Sequence, residues 1–222
     1  MCNGRSNIYW NDRYTKQGAG LMARTQEFDT TKALGDARLV FWDKGFDATS
    51  IADLESATGL GRSSIYHGFG SKRGLFDAVI QDYMDRVLRP RLGLLHSTTH
   101  PGGGVSTYLK SLADALAKAP DETTNRGCLL LNTAAGIAGN DDTLRVLIYG
   151  YQIELRDGVA AALRAADRTQ VEPLVLARAR IVAGLAMSAL LLARLDLAES
   201  LATLEAAEEQ VRQWLAAGTP PR

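Results

Sequence analysis

From Asp29 to Ala216 the apolar residues of this chain recur at intervals of three and four, and nowhere do they alternate with polar residues as a half-buried strand requires. The chain is therefore expected to be all-α. Glycines and Ser, Thr or Asp cap candidates divide the pattern. A first helix is expected over Thr30–Lys44, between Asp29 and Gly45, a second over Ser50–Ala57 with Thr49 as its cap, and a short third over Arg62 to about His67. Ser71 opens a long fourth helix with the seam Phe76, Val79, Ile80, Tyr83 and Val87, which Pro90 weakens at its end. After the loop His96–Gly104, helices are expected over Val105–Lys118, Gly127–Ala138, Thr143–Ala166, Glu172–Leu195 and Ala198–Ala216. The chain thus reads as a disordered basic tail (1–24), a compact three-helix module (25–88) and a helical domain (89–222). Met22 offers a second initiation point inside the tail.

An apolar share of 46% with 23% charged residues is that of a folding, globular chain. The formal net charge is zero, so any contact with nucleic acid has to come from a local patch. Such a patch exists. Between Ser56 and Phe76 there is no acidic residue, while Arg62, Lys72 and Arg73 supply positive charge and Ser63, Ser64, Tyr66 and His67 supply hydrogen-bonding groups. The second helix, the turn Thr58–Gly61 and the short third helix form a helix-turn-helix, whose second member enters the major groove. Ile65 faces back toward Ile51 and Leu54, which leaves Arg62, Ser63, Tyr66 and His67 outward. Thr49 and Ser71 add helix N-termini able to dock phosphate.

The segment FDTTKALGDARLVFWDKGFDATSIADLESATGLGRSSIYHGFGSKRGLFDAVIQDY resembles the DNA-binding domain of TetR-family regulators in its G-F-x-A-T-S-I entry, its A-x-T-G-L-G-R-S-S-I-Y-H centre and its F-x-S-K-x-x-L-F exit. The resemblance implies a DNA-contacting set of Thr49, Ser50, Arg62, Ser63, Ser64, Tyr66, His67 and Lys72. Thr49, Tyr66, His67 and Lys72 would hold phosphates, and Arg62, Ser63 and Ser64 would lie nearest base edges. It also implies a cytoplasmic homodimer that represses transcription from a double-stranded operator and is released by a small-molecule inducer. An activator would look the same. The competing reading is a helical small-molecule-binding protein or enzyme with a vestigial helix-turn-helix; the chain offers no paired catalytic carboxylates or nucleophile motif for it.

The second half is less specific. Cys128 opens GCLLLNTAAGIAG, which resembles the G-C-L-x-x-N-x-A stretch of a TetR subgroup containing thiol-reactive sensors. It reads either as an electrophile- or oxidant-sensing thiol at a helix start or as a small buried apolar residue. Asn132, Tyr149 and Tyr151 are candidate pocket residues. Cys2 and Cys128 lack CxxC spacing, His96 and His100 lack a third ligand nearby, and Gly102–Gly104 lack the Lys and Ser/Thr of a phosphate loop, so no disulfide framework, metal or cofactor is expected. The first twenty residues lack the apolar core of a secretory signal, and the uncharged run Ile181–Ala193 is too short to span a bilayer. In the last two helices Val175, Ala179, Val182, Ala186, Ala189 and Ala193, and Leu197, Leu201, Leu204, Val211 and Leu215, form stripes that serve either as core or as the face of a dimeric four-helix bundle.

Overall fold

The computed structural model describes residues 29–97, 103–118 and 126–217; within them every regular element is helical. The basic tail, Met22 and His100 lie outside the described residues.

Helix α1 (Thr30–Ala48) starts where Asp29 accepts a hydrogen bond from the Lys32 amide at 3.1 Å, and buries Ala33, Ala37 and Phe41. Its helical geometry breaks at Gly45, whose φ of 74° suits glycine, so the expected stop is a kink that turns Phe46 back onto Phe76. Helix α2 (Ile51–Thr58) is capped by Ser50, one residue later than expected. Ser50 Oγ accepts from the Asp53 amide while Asp53 accepts from the Ser50 amide, a reciprocal capping box. Left-handed Gly59 ends α2, and α3 (Arg62–Phe69) runs to Gly70, longer than the sequence pattern indicated.

Helix α4 (Lys72–Tyr83) passes into a π-helical stretch, Met84–Leu88, and then α5 (Arg89–Gly93), where Pro90 sits in the first turn. Pro90 has no amide proton to give to the ladder, and the wider turn ahead of it absorbs that loss without ending the helix. The second half comprises α6 (Gly103–Ala117), α7 (Leu129–Ala135), α8 (Asp142–Ala166), α9 (Glu172–Leu192) and α10 (Leu197–Ala217). Helix α7 is shorter than expected at both ends, because Gly127 is left-handed and Gly136 leaves helical geometry.

Two hydrophobic cores result. One joins Ala37, Phe41, Leu54, Ile65, Phe76, Val79 and Ile80 to Cys128, Leu130, Leu144 and Tyr151, so the packing does not part at residue 88; α7 and the start of α8 close over α1 and α4. The other packs α6, α8, α9 and α10 around Tyr108, Leu109, Leu155, Val159, Val182 and Leu204. Polar ties cross the junction. Arg126 pairs with both carboxylate oxygens of Asp43, at 2.5 and 3.1 Å, its carbonyl accepts from Trp42 Nε1 at 3.0 Å, and Arg73 pairs with Asp141.

The stripe Val175, Ala179, Val182, Ala186, Ala189 and Ala193 is buried within its own chain. Helix α9 is long and apolar enough to cross a membrane by length and composition alone. Its exposed side carries Leu174, Ala177, Ile181, Gly184, Ser188 and Leu191, at alternating steps of three and four.

Candidate nucleic-acid interface

Helix α3 can be a rigid reading element because it is anchored on one side only. Ile65 is fully buried beneath it, while Arg62, Ser63, Ser64, Tyr66 and His67 are all exposed. The Arg62 guanidinium lies over the Tyr66 ring at 5.5 Å, which pre-orders two long side chains that would otherwise lose rotamer freedom on binding. Five donors on one exposed face, with no carboxylate among them, suit a phosphate backbone and base edges.

The N-terminus of α3 is held from outside the helix. Gly61 has no side chain with which to cap it, and Glu55 Oε1, from α2, accepts a hydrogen bond from the Arg62 amide at 2.5 Å. Sequence reading missed Glu55, since a partner seven residues away across a turn has no helical spacing. Glu55→Ala is expected to cost about 1 kcal/mol in urea unfolding, the scale of a lost helix cap, and Glu55→Gln to restore most of it.

Three of the expected contacts have other roles in the structure. Thr49 is only 2% exposed and donates to the Gly45 carbonyl at 2.5 Å, so it fixes the α1–α2 turn and does not face outward. The Ser50 hydroxyl is engaged with Asp53, at 2.8 Å, and the Asp53 carboxylate also pairs with Lys44 at 2.6 Å. That carboxylate occupies the α2 N-terminus and would repel a phosphate there. Lys72 turns inward too: Nζ donates to the carbonyls of Phe46 and Thr49, at 2.9 and 2.8 Å, and sits 4.4 Å from the Phe46 ring centroid. It buttresses the entry to α2 with two of its three donors. The N-terminus of α4 stays open to an anion, with Ser71 Oγ taken by the Gly74 amide at 2.9 Å and no acidic residue in the first turn.

The face is held to α4 by close backbone packing. A Cβ on Gly74 would stand 1.9 Å from the Phe69 carbonyl oxygen, which only glycine permits. Between α1 and α2 a shallow groove of about 310 Å³ includes Asp36, Asp43 and Asp53 in its lining, carboxylates unsuited to phosphate.

The candidates of the second half are dispersed. Cys128 is buried at the start of α7, where it accepts a hydrogen bond from the Tyr83 hydroxyl at 3.7 Å; burial pushes its thiol above the ordinary range, against the pull of the Leu131 and Leu130 amides. Asn132 Nδ2 donates to the Arg126 carbonyl at 2.8 Å, and its buried Oδ1 finds no hydrogen-bond partner among the described residues. Tyr151 is buried, whereas Tyr149, at 61% exposure, points away from any interior pocket.

Residues 34–79 match the sequence model of bacterial regulatory proteins, tetR family. Among curated proteins, the transcriptional repressor BdcR of Escherichia coli K12 is 29% identical over 137 residues, 62% of this chain and 66% of that protein. The repressor ComR of the same strain is 31% identical over 116 residues, 52% of this chain and 54% of that protein. The chain thus spans between about half and two thirds of these relatives. Among solved structures, a cysteine mutant of the TetR family regulator CifR, complexed with 26-base-pair double-strand operator DNA, superposes with a TM-score of 0.72 at 25% identity, over 86% of this chain and all of that one.

Proposed function

We propose that this chain, whose N-terminal module matches that of TetR-family regulators, is a homodimeric transcriptional repressor that binds operator DNA through α3 and is released by a small molecule bound in its second half. The observation that carries the reading is the exposed, acid-free face of α3, anchored by Ile65 beneath and Glu55 at its start. Mobility shifts against the chain's own upstream DNA test it. Arg62→Ala and Tyr66→Ala should each weaken binding by about 1–3 kcal/mol, roughly 5- to 150-fold. Binding by both variants as tight as that of the unaltered chain would remove α3 as the reading element.

The dimer follows from what α9 leaves uncovered. Leu174, Ala177, Ile181, Gly184, Ser188 and Leu191 keep a three–four repeat on the exposed side, the spacing by which one helix packs along another, and small residues among them permit close approach. Two copies paired there would present two α3 helices to successive major grooves.

Release would act through the shared core. Helix α4 carries Ser71 at the DNA module and Tyr83 against Cys128, and the Trp42 ring meets that of Tyr83 at 5.2 Å. A ligand that shifts α7 therefore moves α4 and, through Trp42, Asp43 and Arg126, α1 as well. By linkage, operator DNA must weaken ligand binding by the same factor. A non-covalent inducer fits this half better than an electrophile, because burial keeps the Cys128 thiol protonated. In a Cys2→Ser background, Cys128 is expected to react with a disulfide reagent only as fast as the protein opens. Reaction at the rate of a free thiol would reinstate the electrophile.

A further inference from the structure

The turn between α2 and α3 closes on one residue. The Glu55 carbonyl accepts from the Gly59 amide at 3.0 Å, which ends α2, and its Oε1 accepts from the Arg62 amide, the first of α3, at 2.5 Å. Glu55 is thus held from both sides of the turn, half-buried beside the start of the exposed face of α3. Among the described residues nothing donates to its second oxygen, Oε2, and no basic side chain pairs with it. The other carboxylate of α2 differs, since Asp53 is engaged by Ser50 and by Lys44.

An acceptor in this position meets base edges, because the N-terminal residues of a reading helix are those that reach them in the major groove. It cannot serve the sugar-phosphate backbone, since a carboxylate repels phosphate. The α4 N-terminus, with no acidic residue in its first turn, is left for that role. Bases answer a carboxylate unequally. In the major groove guanine shows two acceptors, thymine one, and adenine an acceptor beside its amino group, whereas cytosine shows a donor, its N4 amino group, and no acceptor. An ordered oxygen with nothing to accept from therefore fits cytosine. The neighbouring Arg62 guanidinium, held over the Tyr66 ring at 5.5 Å, fits guanine.

We infer that Glu55 is a specificity-determining residue, whose Oε2 accepts from the N4 amino group of a cytosine at a base pair adjacent to the guanine read by Arg62. The inference rests on the reading of α3 as the DNA-reading helix and names one base that it selects.

Selection of bound fragments from random DNA, by the full chain and by its Glu55→Gln variant, tests it. Arg62→Ala identifies the guanine, as the base whose replacement no longer matters in that variant. Glutamine can keep the cap with its amide oxygen, but it offers the groove a donor in place of an acceptor. The unaltered chain should select cytosine beside that guanine, and replacing this cytosine in the selected duplex should weaken binding about fivefold or more. In Glu55→Gln the preference for cytosine should vanish while the rest of the site is kept. A merely structural cap would weaken binding to all sequences alike. A Glu55→Gln chain with unchanged base preferences, one that binds every fragment equally more tightly, or a selected site without cytosine beside that guanine would each overturn the inference. If Glu55→Gln does not fold, the cytosine replacement measured on the unaltered chain decides alone. These failures leave operator binding in place, whereas an unaltered chain that enriches no sequence removes the regulator reading and this inference with it.

Discussion

Gly74→Ala is expected to abolish the operator shift at protein concentrations that saturate the unaltered chain. The new methyl would meet the Phe69 carbonyl oxygen at 1.9 Å and its carbon at 3.2 Å. Both are backbone atoms at the last turn of α3, so no rotamer change can relieve the contact, and the α3–α4 junction must open. Overpacking of this kind costs about 1–3 kcal/mol or more. The functional loss should exceed the stability loss, because α3 is the element displaced. Urea unfolding measures the second and the mobility shift the first. A Gly74→Ala chain that binds DNA normally would mean that the junction is looser than its packing indicates.

The largest effect on stability is expected from Phe41→Ala. Phe41 is 2% exposed, meets the Phe76 ring edge-on at 4.9 Å and stacks on Phe46 at 6.3 Å. Truncating a buried phenylalanine costs about 3–5 kcal/mol through lost burial and the cavity left behind. Because Phe41 shares its core with Cys128, Leu130 and Tyr151, the loss should spread beyond the DNA module. In a Trp10→Phe, Trp214→Phe background, Trp42 fluorescence and overall helicity should therefore change in one transition, at lower urea than in the same background with Phe41 intact. A first transition confined to the module would contradict the shared core.

Much of this was legible in the sequence because it is local. Asp29, Gly45, Gly59 and Ser71 mark caps and breaks within a few residues of their effects, and Ile65 with its exposed neighbours defines the two sides of α3 by helical spacing alone. Thr49 and Ser50 differ by one position, and which of them caps α2 depends on which hydroxyl reaches Asp53, a question of backbone geometry. What remained hidden spans distance along the chain. Lys72 reaches carbonyls 23 and 26 residues earlier, and Trp42 reaches one 84 residues later. The exposed repeat of α9 was obscured for a different reason. That helix is apolar nearly all round, so its buried alanines and valines gave as clear a stripe as the face left open.

The most direct test of the central claim is selection of bound fragments from random DNA by the full chain, followed by footprinting of the winner. The expected winner is a near-palindrome whose half-sites lie about one helical turn apart, roughly 34–36 Å, bound by two protomers and lost with Arg62→Ala. Recovery of no enriched sequence, or of a single half-site bound by one protomer and indifferent to Arg62, would contradict it.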